Sequence, residues 1–188
     1  MRIISGKFRG RLLHGPQDLL TRPTSDRARE SLFNVLENGL NIKWDGLQVL
    51  DLYAGTGALG IEALSRGATY CCFIDNHPLA LKTIKKNVPD IFKYDLLPCD
   101  ILSLKRNSGP PFEVVFLDPP YKKGYIEPTL SNLIAGDYLK EKTIVIIEIS
   151  KEESVKINSD FATIKEKIYG KTKIIFTSYS PSFNREKP

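Results

Sequence analysis

The stretch that most restricts what this chain can become runs from Gln48 to Arg66. A strand-forming run, Gln48 to Tyr53, passes through Asp51-Leu52-Tyr53-Ala54-Gly55-Thr56-Gly57-Ala58-Leu59-Gly60, and a helical pattern, Ala58 to Arg66, leaves that turn and stops at Gly67. A helix directly after a strand carries the chain back to where the strand began, so a parallel neighbour is expected next. The following residues keep the rhythm: strand Thr69 to Ile74, helix Pro78 to Asn87, a weaker strand Tyr94 to Pro98 and a strong one Glu113 to Leu117. A helix from about Glu127 to Ile134 and a strand Thr143 to Ile149 continue it. Such alternation predicts an α/β fold with a mostly parallel sheet covered on both faces. The pattern then changes. Phe161 to Tyr169 and Thr172 to Tyr179, joined at Gly170-Lys171, predict an antiparallel hairpin finishing the sheet.

Ahead of this core, Arg2 to Leu13 reads as two short strands turning near Ser5 to Gly10. Thr21-Arg22-Pro23-Thr24-Ser25-Asp26 leads into a helix that Thr24 or Ser25 can cap and that Asn38-Gly39 ends, with Ala28, Leu32, Val35 and Leu36 on one face. The expected layout is a basic arm over residues 1–23 and one α/β domain over 24–188, with Asn184 to Pro188 frayed. No apolar stretch reaches the roughly 20 residues a membrane helix needs. The first residues carry no apolar signal core, so a cytoplasmic protein is expected; a monomer is the expected state. Cys71, Cys72 and Cys99 fit reduced buried thiols, and no metal-ligand spacing is present.

Charge is unevenly placed. Residues 1 to 30 hold seven basic residues (Arg2, Lys7, Arg9, Arg11, Arg22, Arg27, Arg29) against three acidic ones (Asp18, Asp26, Glu30), whereas the rest of the chain is nearly neutral. A basic arm ahead of a neutral core points to a polyanion, because clustered Lys and Arg neutralise phosphates and release counterions. Arg29 has a competing use, since Asp26 lies one helical turn before it.

Gly55, Gly57 and Gly60 satisfy G-x-G-x-x-G, and Asp75 closes the next strand, so a dinucleotide site must be weighed. Two acids argue for another ligand. Asp51, just before the glycines, would discourage a pyrophosphate but suits an ammonium. Asp100, after the third strand, is placed for an adenine edge, as Asp75 is for ribose hydroxyls. Amino acid, ribose and adenine without phosphate describe S-adenosyl-L-methionine.

Asp118-Pro119-Pro120-Tyr121 closes the strand Glu113 to Leu117. Two prolines remove two backbone donors and hold the segment extended, leaving carbonyls around Pro119 to accept hydrogen bonds from something other than the sheet. With an acidic side chain before them and an aromatic plate after, this turn can grip a planar amine.

Four blocks together are similar to the RsmD family of small-subunit ribosomal RNA guanine-N2 methyltransferases. They are Arg2 to Arg11, Arg22-Pro23-Thr24-Ser25-Asp26-Arg27-Ala28-Arg29-Glu30-Ser31-Leu32-Phe33, Asp51 to Ala68, and Phe116 to Tyr121. The resemblance implies a Rossmann-like class I methyltransferase fold with seven strands, S-adenosyl-L-methionine as cofactor, and a guanine of 16S rRNA in the small subunit or an assembly intermediate as substrate. It implies a cofactor set of Asp51, Tyr53, Ala54, Gly55, Thr56, Gly57, Asp75, Asn76, Asp100, Ile101 and Asp118. Asp118, Pro119, Pro120 and Tyr121 are the expected catalytic residues, and Arg9, Arg11, Arg22, Arg27 and Arg29 the expected RNA contacts. Many relatives carry Glu where this chain has Asp75, a shorter acid. Other readings are an adenine-N6 or amide methyltransferase, a nicotinamide-binding oxidoreductase, or an RNA-binding assembly factor without chemistry.

Overall fold

Val49, Leu50 and Leu52 are fully buried, and so are Cys71, Phe73 and Ile74 on the neighbouring strand, because both lie inside the sheet with helices over them. The computed structural model describes residues 1–15 and 26–181. It divides into two compact units, Met1–Ile101 and Leu102–Pro188.

The first unit holds α1 (Asp26–Asn34) with a π-helical turn Val35–Gly39, then β1 (Gln48–Leu52), α2 (Ala58–Arg66), β2 (Tyr70–Asp75), α3 (Pro78–Asn87) and β3 (Tyr94–Pro98). β1 and β2 pair in parallel, as do β2 and β3. The second unit holds β4 (Phe112–Leu117), α4 (Ile126–Ala135), β5 (Leu139–Ser150), β6 (Phe161–Tyr169) and β7 (Thr172–Tyr179). There β4 and β5 are parallel, while β7 runs antiparallel to both β5 and β6. The seven strands follow the order β3-β2-β1 in the first unit and β4-β5-β7-β6 in the second, so the expected mostly parallel pairing with a terminal hairpin is what forms.

Three local outcomes differ from the sequence reading. The buried face of α1 and its extension is Arg29, Leu32, Phe33 and Leu36, not the all-apolar Ala28, Leu32, Val35 and Leu36. Arg29 takes an inward position that apolar patterning reserves for a hydrocarbon side chain. The strand β5 begins at Leu139, earlier than Thr143, because Thr143 Oγ1 donates to the Phe112 carbonyl at 2.6 Å and a bulge absorbs the polar run before it. The N-terminal segment is hairpin-shaped, yet only Arg2 and Leu12 form a bridge.

That segment explains a helix with no wet side. In α2 every residue from Leu59 to Ser65 is buried, although a helix on a sheet surface ordinarily keeps a polar outer face. The outer face is covered by the N-terminal segment: Ile4 and Ser5 donate their N–H groups to Glu62 at 2.7 and 2.9 Å, and Lys7 donates to the Ser65 carbonyl at 2.7 Å. Gly6 makes the approach possible. Its φ is +80°, and an added Cβ would lie 1.8 Å from the Ser65 oxygen. Among the described residues no helix is long and apolar enough to cross a membrane.

Candidate functional site

The turn after β1 is unusual in its backbone before any ligand is considered. Tyr53, Gly55 and Gly57 all have positive φ, at +55°, +56° and +75°. For the glycines this is ordinary; for Tyr53 it costs about 1–3 kcal/mol, an expense that clusters at ligand-binding turns. The turn is held by Ala54 N–H on the Ile74 carbonyl at 3.2 Å and by Gly57 N–H on the Ala54 carbonyl at 2.7 Å. Gly60 lets α2 lie against the sheet, since a Cβ there would meet Phe73 at 2.4 Å and Cys71 at 2.6 Å.

Asp51 is 2% exposed, and its Oδ2 accepts the Gly60 N–H at 2.9 Å, fastening the start of α2 to β1. Burial pushes its carboxyl up to about 8, with nearby Asp75 adding to the rise and the Gly60 bond opposing it. The folded state therefore holds the Asp51 proton more tightly than the unfolded chain, whose value is 3.8. This contribution to stability is fully present below about pH 3.8 and is lost as pH rises through about 8. Thermal melts of Asp51→Asn across that window are expected to show a shallower fall with pH than the parent protein, and equal slopes would remove Asp51 as the source.

Asp75 sits at the end of β2 and binds backbone on both sides. Oδ2 accepts the Gly55 N–H at 2.9 Å and Oδ1 the His77 N–H at 2.8 Å. Each oxygen keeps a lone pair for a hydroxyl group. Asn76 and Asp100 are exposed, Ile101 is buried, and Tyr53 and Thr56 are half-buried beside the buried Ala54. These residues suit an amino acid–ribose–adenine ligand: a buried carboxyl that a cation would ionise, an acid with acceptor capacity to spare, and an exposed acid after β3.

The basic segment touches the same turn. Asn87, 1% exposed at the end of α3, accepts the His14 N–H at 2.7 Å and donates to the carbonyls of His14 at 3.1 Å and Thr56 at 2.9 Å. Arg9, Arg11 and Arg27 are exposed, with the Arg11 guanidinium 5.9 Å from the Phe8 ring centre. Arg22 lies outside the described residues, as do the expected caps Thr24 and Ser25 and the tail Asn184 to Pro188. Arg29 leaves the expected RNA-contact set. It is 0% exposed, bonds Asp26 Oδ1 at 3.0 Å and the Arg2 carbonyl, and lies 3.9 Å from Glu62, so its charge is used inside the protein.

In the second unit, Asp118 is half-buried, Pro119 buried and Pro120 exposed after a β4 whose residues Val114 to Leu117 are wholly inside. Tyr121 is 43% exposed. Its hydroxyl donates to Glu148 Oε1 at 3.0 Å and meets Thr172 Oγ1 at 3.2 Å. Burial, then the Glu148 carboxylate, pushes the Tyr121 hydroxyl well above the usual phenol range. Glu148 is 5% exposed on β5. Sequence reasoning missed it, although a lone acid inside the apolar run Ile144-Val145-Ile146-Ile147-Glu148-Ile149 is a visible signal.

The family model described as Conserved hypothetical protein 95 matches residues 1–178. The chain belongs to this family, the RsmD family. Among RsmD-family relatives, "Ribosomal RNA small subunit methyltransferase D" of Escherichia coli is 32% identical over 90% of this chain and 85% of its own length. YlbH of Bacillus subtilis, provisionally named an rRNA methyltransferase, is 35% identical over 92% of this chain and 95% of its own. The solved structure of yhhF from Escherichia coli, provisionally named a methyltransferase, has a TM-score of 0.82 at 31% identity and covers 96% of this chain and 98% of that one.

Proposed function

We propose that this chain is an S-adenosyl-L-methionine-dependent ribosomal RNA methyltransferase that modifies the exocyclic N2 amine of a guanine in 16S rRNA of the small subunit. Membership of the RsmD family supports methylation of ribosomal RNA, and the observation that carries the guanine reading is the Asp118-Pro119-Pro120-Tyr121 turn with Tyr121 anchored at its hydroxyl.

When bound, S-adenosyl-L-methionine supplies a methyl group on a sulfonium, an electrophile. Asp51, Asp75 and Asp100 would hold its ammonium, ribose and adenine, with Gly55 and Gly57 shaping the turn. The acceptor nitrogen is the difficult partner, because its lone pair is delocalised into the purine ring. The Asp118 carboxylate and the Pro119 carbonyl each accept one N–H of that amine, which turns the remaining lone pair outward and localises it. Alignment and pre-placed acceptors are then the main sources of rate. Asp118 need not be a strong base, since the nitrogen becomes acidic once it carries the methyl group. Tyr121 stacks on the base, which must be unpaired or flipped to reach it. Arg9, Arg11 and Arg27 serve phosphates, as does Arg22.

The Glu148 and Thr172 contacts define the Tyr121 ring plane through its hydroxyl. Tyr121→Phe keeps the ring and removes that anchor, so KM for RNA should rise by about three- to tenfold while kcat changes less. Tyr121→Ala loses the stacking surface as well and should raise KM further and lower kcat. Tyr121→Phe behaving as the parent would show that the hydroxyl contacts have no role in substrate binding.

The deciding experiment incubates pure protein with methyl-labelled S-adenosyl-L-methionine and unmodified small subunits, then digests the RNA to nucleosides. Label in N2-methylguanosine is expected; label in adenosine, or none, would overturn the proposal.

A further inference from the structure

Cross-strand partners in a sheet share a face, and alternate residues of a strand do so too. Because Tyr121 bonds Glu148 and Thr172, it lies over the face of β5 and β7 that presents those two side chains. The register carries that face outward onto β6. Ile174, opposite Glu148, pairs with Lys167; Thr172, opposite Ser150, pairs with Tyr169; and Phe176, opposite Ile146, pairs with Lys165. Lys165 and Lys167 are exposed and Tyr169 is half-buried. The other face of β6 presents Glu166 and Ile168, across from Ile175 and Lys173. The strand is thus sorted by charge: both of its lysines share a face with Tyr121, and its one glutamate points away.

We propose that this face, from Tyr121 across Thr172 and Tyr169 to Lys167 and Lys165, takes the RNA strand running out of the acceptor site. Lys165 and Lys167 bind successive backbone phosphates, and the Tyr169 ring lies beside the neighbouring base. The partner is a single strand running on from the unpaired base: Lys165 and Lys167 stand two residues apart on one β-strand, a rise of about 7 Å, in line with one backbone. The inference rests on the reading that Tyr121 faces the substrate base, and it gives the terminal hairpin a function. Lysines on an edge strand also discourage edge-to-edge aggregation, but that purpose is served from either face.

The test compares K165E/K167E with the opposite-face variant Glu166→Lys, using a small-subunit rRNA transcript and unmodified particles. Each phosphate contact on a single strand contributes about 0.7 to the slope of log K against log salt, so the double variant should lose about 1.4 from that slope. KM for RNA should rise about tenfold with kcat and S-adenosylhomocysteine affinity unchanged, and Glu166→Lys should leave slope and KM as they were. K165Q/K167Q removes the same two contacts, so it should lose a similar amount of slope with a smaller rise in KM, and thermal melts of each variant report whether the fold is intact. An unchanged slope in K165E/K167E and K165Q/K167Q overturns the inference, as does a change in Glu166→Lys equal and opposite to that of K165Q/K167Q, which has the same size of charge change and would make the effect one of net charge. If the parent protein binds this RNA but transfers no methyl group, the proposed activity falls. The slope measurement still decides the lysine face, because it reads binding alone.

Discussion

Asp118→Ala is expected to lower methyl transfer to small-subunit RNA by about 10²- to 10³-fold, the usual cost of removing one pre-placed hydrogen-bond partner at a reacting centre. The reason is the geometry of the turn. β4 is buried from Val114 to Leu117, Pro119 is buried, and neither proline has an N–H to compete for the acceptors. With Asp118 removed, the Pro119 carbonyl alone orients the amine, and the lone pair rotates away from the line of attack. Asp118→Asn separates an acceptor from a base. Its amide oxygen still accepts one N–H, so it should retain more activity than alanine, whereas a general base would be lost equally in both variants. Methylation is measured as label incorporated into nucleosides. Transfer by Asp118→Ala at the parent rate would remove the turn from the chemistry and favour a protein that only binds RNA.

The parts of this fold that were legible in the sequence depend on local pattern. Helices α2 and α3 begin and end where glycine or proline and the apolar spacing put them, and the hairpin closes at Gly170-Lys171 because glycine takes the φ of +60° found there. The placement of Asp51, Asp75 and Asp100 was legible for a similar reason, one residue before, at and just beyond a strand end. What pattern could not convey was which charges fold inward. Arg29 reads as a surface cation beside Asp26, yet it is buried because Glu62, distant in sequence, awaits it. Glu62 itself reads as the polar face of α2, and nothing local announces that the N-terminal segment will cover it. Glu148 is the same case in the other unit. Its partner Tyr121 is 27 residues away, and only the fold brings a buried carboxylate to the aromatic residue that follows Asp118-Pro119-Pro120.

Glu62→Ala is expected to be the most destabilising single change outside the hydrophobic core, by about 3–5 kcal/mol, the range for removing one member of a buried ion pair. Glu62 is 0% exposed and has four partners: the N–H groups of Ile4 and Ser5, Arg66 Nε at 2.8 Å, and Arg29 at 3.9 Å. Arg66 continues the network to Glu37 at 2.7 Å, and Glu37 accepts the Trp44 indole N–H at 2.9 Å, so one carboxylate ties α1 and its π-helical extension to α2. Its loss leaves Arg29 with Asp26 as its remaining acid and orphans two backbone donors. Arg29 is already under-satisfied, because its Nε and Nη1 have no hydrogen-bond partner among the described residues. In a chain of this length the melting temperature should fall by about 10 °C. Glu62→Gln keeps an acceptor for one N–H and loses the charge, so a smaller fall is expected. Local release should exceed the global loss: with Ile4 and Ser5 unheld, the segment carrying Lys7, Arg9 and Arg11 lifts from α2 and trypsin cuts there first. A melting temperature within about 2 °C of the parent, with that segment still protected, would mean that Ser65 and the close packing of Gly6 hold the basic segment without the buried carboxylate.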